Sequence, residues 1–102
     1  MNDTTMEQII MELVVNSGAA RSLAMGALDD ASEGNFADAE QKLTEAKEQI
    51  NKAHAFQTHL IAKEADGEHQ EMNLILVHGQ DHLMTAMVVI DLAEQMVKMY
   101  KR

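Results

Sequence analysis

The run Leu74-Ile75-Leu76-Val77-His78-Gly79-Gln80-Asp81-His82-Leu83-Met84-Thr85-Ala86-Met87-Val88-Val89-Ile90-Asp91-Leu92 decides the fold. It carries two adjacent apolar stripes at helical spacing, one through Leu76, Leu83, Met87, Ile90 and Val97, the other through Leu74, Val77, Met84, Val88 and Leu92. Two neighbouring helices in a monomer cover a narrower arc than this. A long apolar strip is rare on the surface of a soluble monomer, so the pattern predicts an oligomer with this helix lining the shared interior.

Outward from that run, the chain divides into three helices, expected at about residues 4–32, 35–65 and 68–100. In the first, Met6, Ile10, Leu13, Ser17, Ala20, Ala24, Ala27 and Ala31 keep an alternating spacing whose second half is small, which predicts close helix approach. Asp3 or Thr4 caps its start and Gly34 supplies a left-handed stop. Asn35 is expected to cap the second helix, whose seam is Phe36, Ala39, Leu43, Ala46, Ile50, Ala53, Gln57 and Leu60. Asp66-Gly67 breaks the chain again before the third helix, and Lys98, Lys101 and Arg102 complement the negative end of its dipole. The expected fold is all-α, an antiparallel up-down-up three-helix bundle in one domain spanning 1–102.

Composition narrows the function. With 102 residues the core is only adequate in size, so burial between subunits is a physical advantage. Nine Met against one Tyr and two Phe, with no Pro, indicate a helical chain with an adaptable aliphatic core. A net charge of −9 with eight Lys and Arg disfavours nucleic acid and anionic membranes and suits a basic protein partner. The absence of Cys excludes a disulfide framework, a thiolate zinc site and a cysteine nucleophile; with no signal sequence it points to a cytoplasmic protein. Apolar runs such as Leu74-Ile75-Leu76-Val77 are far shorter than the roughly 20 residues that span a bilayer.

The candidate site lies within the deciding run. His78, Asp81, His82 and Thr85 stand at i, i+3, i+4 and i+7, so an imidazole pair, a carboxylate and a hydroxyl share one helical face. Asp81 sits inside the second apolar stripe. Either a neighbouring Thr, Asn or Lys satisfies it, or a cyclic oligomer gathers its copies on the axis, where they take up protons or bind Mg²⁺ or Ca²⁺. The histidines have three readings: partly buried structural residues, half of a zinc site, or a phosphoryl acceptor. Zinc needs further ligands, and His54 and His59, five apart, do not share a face. Imidazole is suited to accepting a phosphoryl group reversibly, and Gly79 beside His78 leaves room for one to approach.

The segment Leu76-Val77-His78-Gly79-Gln80-Asp81-His82-Leu83-Met84-Thr85-Ala86-Met87, with Asn16-Ser17-Gly18-Ala19-Ala20-Arg21-Ser22-Leu23 and Ala53-His54-Ala55-Phe56-Gln57-Thr58, closely resembles the enzyme IIA component of the lactose/cellobiose group of the sugar phosphotransferase system. The likeness runs through essentially the whole chain. It implies a phosphotransferase component that forms a cytoplasmic homotrimer of three-helix subunits. His78 then takes a phosphoryl group on its tele nitrogen from the phosphocarrier HPr and passes it to a cysteine of enzyme IIB. The resemblance also places Asp81 at the trimer axis with a divalent cation, Mg²⁺, and Gln80 and His82 beside the site. Ala55 follows His54 where many relatives carry a second polar residue, and the segment before Met6 is short; neither touches His78.

The wide apolar helix, the misplaced Asp81 and the missing cysteine agree with this implication independently. Two alternatives remain in other classes: a helical oligomerisation module with an incidental polar cluster, and a helical metal-binding protein without phosphotransfer. The sugar is contacted by the membrane component, so lactose, cellobiose and chitobiose types all stay open.

Overall fold

The computed structural model describes residues 5–102. Three helices account for it, α1 at Met6–Ser32, α2 at Phe36–Ala65 and α3 at Leu74–Tyr100. Cross-links such as Gln57 to Gln80 and Lys47 to Glu94 show that α2 runs against α3. Leu13 opposite Gly79, and Leu28 grouped with Met96, show that α1 and α3 run the same way. The bundle is therefore up-down-up, with extents of 50 × 21 × 19 Å.

The helix ends follow from local hydrogen bonds. Thr5 Oγ1 accepts from the Gln8 backbone N–H at 3.2 Å, and Gln8 Oε1 accepts from the Thr5 N–H at 2.9 Å, forming a capping box. The expected caps Asp3 and Thr4 lie outside the described residues. At the other end Gly34 has φ +82°, its N–H donates to Ala31 O at 3.0 Å, and the Asn35 N–H donates to Asp30 O at 2.8 Å. That pair of bonds satisfies the last carbonyls of α1.

Two expectations are corrected here. Asn35 precedes α2, but its side chain makes no capping bond. The residue serves two helix ends at once: its N–H closes α1, which holds its backbone at φ −87°, ψ 67° instead of the extended geometry usual for a cap. The third helix begins at Leu74, not near Glu68. Gly67, at φ +88°, and the Glu68 N–H bonded to Lys63 O at 3.0 Å finish α2. His69 Nδ1 then meets Glu64 Oε2 at 2.9 Å and Gln70 Nε2 donates to Glu68 O at 2.8 Å, so the chain turns locally. A helix starts only where Asn73 Oδ1 can accept from the Leu76 N–H, at 2.8 Å.

The expected seams form the core. Ile10, Leu13, Ser17, Ala20, Ala24, Ala27 and Ala31 of α1 are buried against Ala39, Leu43, Ala46, Ile50, Ala53 and Leu60 of α2. Leu76, Leu83, Ile90 and Val97 complete it from α3. α1 packs extensively on both partners, whereas α2 and α3 touch each other least. Lys42 pairs with Asp30, Lys47 with Glu94 at 2.8 Å and Lys101 with Glu40 at 2.6 Å, which tie α2 to both neighbours. Such surface pairs each contribute only about 0–1 kcal/mol, so apolar burial carries the fold.

The second stripe of α3 remains on the surface: Leu74 is 87% exposed, Val77 48%, Met84 52%, Val88 57% and Leu92 52%. One helix thus supplies both a core face and a continuous outer apolar strip.

Candidate functional site

The site begins in the second turn of α3. His78 and His82 are one turn apart, and their Nε2 atoms meet at 3.0 Å, with ring centroids 4.4 Å apart and planes at 82°. At that separation one ring donates its N–H and the other accepts with its lone pair. His78 is exposed and His82 half-buried, so the pair stands at the edge of the bundle. Leu74, Ile75 and His78 line a shallow groove of about 350 Å³ that is mostly apolar.

Gly79 explains why the pair stands at that edge. It is buried, and a Cβ built on it would lie 3.4 Å from Leu13 Cβ and 3.8 Å from Val14 Cγ2. Its bare backbone therefore faces α1. The small residue at 79 lets α3 lie against Leu13 and Val14 of α1, and the imidazoles emerge at the margin of that contact.

The predicted convergence of groups is narrower than the spacing suggests. Thr85 Oγ1 donates to the Asp81 carbonyl at 2.8 Å and also lies 3.3 Å from the His82 carbonyl, so its hydroxyl is spent on the helix backbone. Asp81 is exposed in the outer strip, and its carboxylate takes no hydrogen bond from any described side chain. The reading in which Thr, Asn or Lys satisfies it finds no support among the described residues.

Gln80 is not brought to His78. Two residues along a helix turn the direction by about 200°, which puts Gln80 on the α2 side. There its Oε1 accepts from Gln57 Nε2 at 2.8 Å, and the same nitrogen lies 3.6 Å from Met84 Sδ. Gln57 is the residue that sequence reasoning missed. Its signal was a polar side chain at a seam position, opposite a helix that also offers an amide.

His54 is exposed; His59 is half-buried, with an Nε2 that finds no hydrogen-bond partner among the described residues. Among the described residues no group of three or more His, Asp or Glu is placed to hold a metal ion. The described residues of one chain therefore supply neither the zinc arrangement nor a complete cation site around Asp81. No helix of the described residues is long and apolar enough to cross a membrane.

Comparison with known proteins bears on this geometry. Residues 8–101 match the family model described as the lactose/cellobiose-specific IIA subunit of the PTS. The chain is 46% identical over 97 residues to the lichenan-specific phosphotransferase enzyme IIA component of Bacillus subtilis, covering 95% of this chain and 88% of that one. Its fold matches the crystal structure of the cellobiose-specific enzyme IIA from Bacillus anthracis with a TM-score of 0.92, at 51% identity, over 96% of this chain and 90% of that one. It also matches the IIA chain in the solution structures of the IIA(Chitobiose)–HPr complex of Escherichia coli, with a TM-score of 0.82 at 38% identity, over 96% and 95% of the two chains. A three-helix bundle with an exposed histidine pair on its last helix, matched over nearly its whole length, is thus a phosphotransferase component, and the chain belongs to the lactose/cellobiose-specific IIA family of the sugar phosphotransferase system.

Proposed function

We propose that this chain carries a phosphoryl group on His78 Nε2, receiving it from phosphorylated HPr and giving it to a cysteine of an enzyme IIB, in the uptake of a disaccharide of lactose, cellobiose or chitobiose type. The observation that carries this reading is the His78–His82 pair, with Nε2 atoms 3.0 Å apart and His78 lining an apolar groove with Leu74 and Ile75. The similarity to a IIA chain solved in complex with HPr supports HPr as donor.

The chemistry follows from the tautomers. His78 is a nucleophile at Nε2 only when its proton is on Nδ1, so the N–H in the shared bond belongs to His82. As a phosphorylated donor docks, the His82 N–H moves from the His78 lone pair to a phosphoryl oxygen. The lone pair forms the new Nε2–P bond while the donor's N–P bond breaks, its electron pair returning to the donor imidazole. Transfer onward is the same displacement, with a thiolate of the partner forming S–P and the pair returning to Nε2. His82 thereby stabilises both the resting nucleophile and the charged product.

The outer strip of α3 supports a homotrimer, since three copies of Leu74, Val77, Met84, Val88 and Leu92 cover one another about a threefold axis. The same arrangement brings three Asp81 carboxylates together, and their lack of partners among the described residues fits an oxygen site for a divalent cation such as Mg²⁺. A bound divalent cation would offset two of the three carboxylate charges and so steady assembly. In this role the carrier works in the cytoplasm, between HPr and the membrane permease.

The test is incubation with enzyme I, HPr and phosphoenolpyruvate. The expected result is a gain of about 80 Da per chain, lost in His78→Ala and slowed in His82→Ala. Full labelling of His78→Ala removes the assignment, and no labelling of the parent favours a purely structural oligomerisation module.

A further inference from the structure

Gln57 places a primary amide in the seam of α2, where the buried positions are otherwise Ala, Leu and Ile. Its Nε2 reaches α3 twice, lying 2.8 Å from Gln80 Oε1 and 3.6 Å from Met84 Sδ. A thioether sulfur accepts a hydrogen bond and has none to give, so the edge of Gln57 that meets Met84 is its NH₂. The same nitrogen meets Gln80, which therefore presents its carbonyl oxygen. Both amides are oriented by this one sulfur: the oxygen of Gln80 is engaged between α2 and α3, and its NH₂ points away from Gln57.

An NH₂ turned outward is a donor for an anion, and the wheel of α3 says where an anion would stand. Successive residues advance by about 100°, so His78 and Gln80 lie on opposite sides of the exposed strip of Val77, Met84 and Val88, each about 70–90° from its centre. In the threefold packing proposed above, rotation about the axis changes no height. The His78 flank of each copy then faces the Gln80 flank of the next, with only about 3 Å of helical rise between the two levels. Helix axes about 8–10 Å apart put imidazole and amide across one junction. Gln80 is half-buried there, in a groove with Leu60, Ile61 and Met72 that screens the donor from water.

Polarity matters at that junction. A phosphoryl group adds about −1.5 to −2 at neutral pH, and it arrives on a chain of net charge −9. An amide free to rotate offers its oxygen as readily as its nitrogen, and the oxygen repels phosphoryl oxygens.

We propose that Gln57 is a positioning residue for phosphoryl transfer: by engaging the carbonyl of Gln80 it fixes that amide with its NH₂ outward, as a donor to the phosphoryl group on His78 of the neighbouring copy. The proposal rests on His78 as the acceptor and on the threefold packing.

The experiment phosphorylates the full chain with phosphoenolpyruvate, enzyme I and HPr, and reads by intact mass the equilibrium ratio of phosphorylated chain to phosphorylated HPr. Gln57→Glu puts acceptor oxygens where the NH₂ was; they draw the Gln80 NH₂ inward and turn its carbonyl outward, so the ratio should fall about tenfold. Gln57→Leu suits the seam and only frees the amide, so a fall of about threefold is expected, matched by Gln80→Ala. On the Gln80→Ala background neither Gln57 change should lower the ratio further, because Gln57 acts through Gln80. Should Gln57→Glu fail to fold, Gln57→Leu and its double variant carry the test. An unchanged ratio in Gln57→Leu overturns the proposal, as does a Gln57 effect that persists undiminished without Gln80, which would make Gln57 a packing residue. Sedimentation equilibrium must give one mass throughout: a monomeric parent, or a Gln57 variant that dissociates, also overturns it. A parent chain that gains no phosphoryl mass instead removes the His78 reading beneath it.

Discussion

Gly79 of α3 and Leu13 of α1 face each other so closely that a Cβ on the glycine would come to 3.4 Å from Leu13 Cβ. This contact fixes which edge of the bundle carries His78 and His82. A single methyl fits at ordinary contact distance, and anything larger would push α3 off α1. Gly79→Ala is therefore expected to raise stability by about 0.5–1 kcal/mol through helix propensity, with phosphoryl transfer intact. Gly79→Leu should lower stability and disturb transfer together. Thermal melts with the labelling assay decide this; a stable Gly79→Ala chain that no longer accepts phosphoryl would mean that the glycine clears the approach to His78 after all.

Ser17 is fully buried, and its Oγ has no hydrogen-bond partner among the described residues. The hydroxyl has lost water without compensation, in a layer otherwise built from apolar side chains. Ser17→Ala removes that penalty at almost constant volume and improves helix propensity, so a gain of about 1 kcal/mol is expected. Chemical denaturation measures it. A loss of similar size would show that the hydroxyl holds something the seam requires.

The fold was legible in the sequence wherever a seam kept its period. Leu and Ala recur along α1 and α2 with Ser17 and Gln57 as the polar members of the seams, and the buried faces follow them, with Asn16 buried beside the α1 seam. The excess of apolar residues on α3 also marked correctly the strip that one chain leaves exposed. The start of α3 was not legible, because Asp66-Gly67 announces a stop while the next start depends on one side-chain bond from Asn73 to Leu76. At the site, spacing placed the imidazole pair but could not say which way each polar group turns. Thr85 bonds to its own helix, and Gln80 turns to Gln57 across a boundary that no one-helix pattern reveals.

Lys42 links α2 to Asp30 at the end of the bundle remote from His78. Its hydrogen bond to Asp30 raises its pKa above the ordinary 10.5, opposed by desolvation and aided by the charges of Asp30, Asp38 and Glu45. A raised pKa in the folded state means that the contribution is fully present below the unfolded value and is lost as pH rises through the folded one. Lys42→Met keeps the stem that packs near Gly26 and removes the charge. The stability gap between parent and variant should be level from pH 7 to 9 and close above about pH 10.5. A gap that widens with alkalinity in urea melts would contradict the ion-pair account.

Asp81 is where stability and assembly meet. Its carboxylate lies among Val77, Met84 and Val88, all exposed in one chain and all suited to burial against further copies. If three copies face one another on an axis, the metal-free assembly carries repulsion and desolvation costs that a divalent cation offsets. Asp81→Leu removes the charge and adds an apolar side chain of similar reach to the strip. The variant is expected to remain trimeric, to be indifferent to EDTA, and to melt at least as high as the chelated parent. Sedimentation equilibrium with and without chelator checks all three: a variant that falls to monomers would mean that Asp81 makes a required hydrogen bond between subunits, and a parent equally indifferent to EDTA would remove the axial cation.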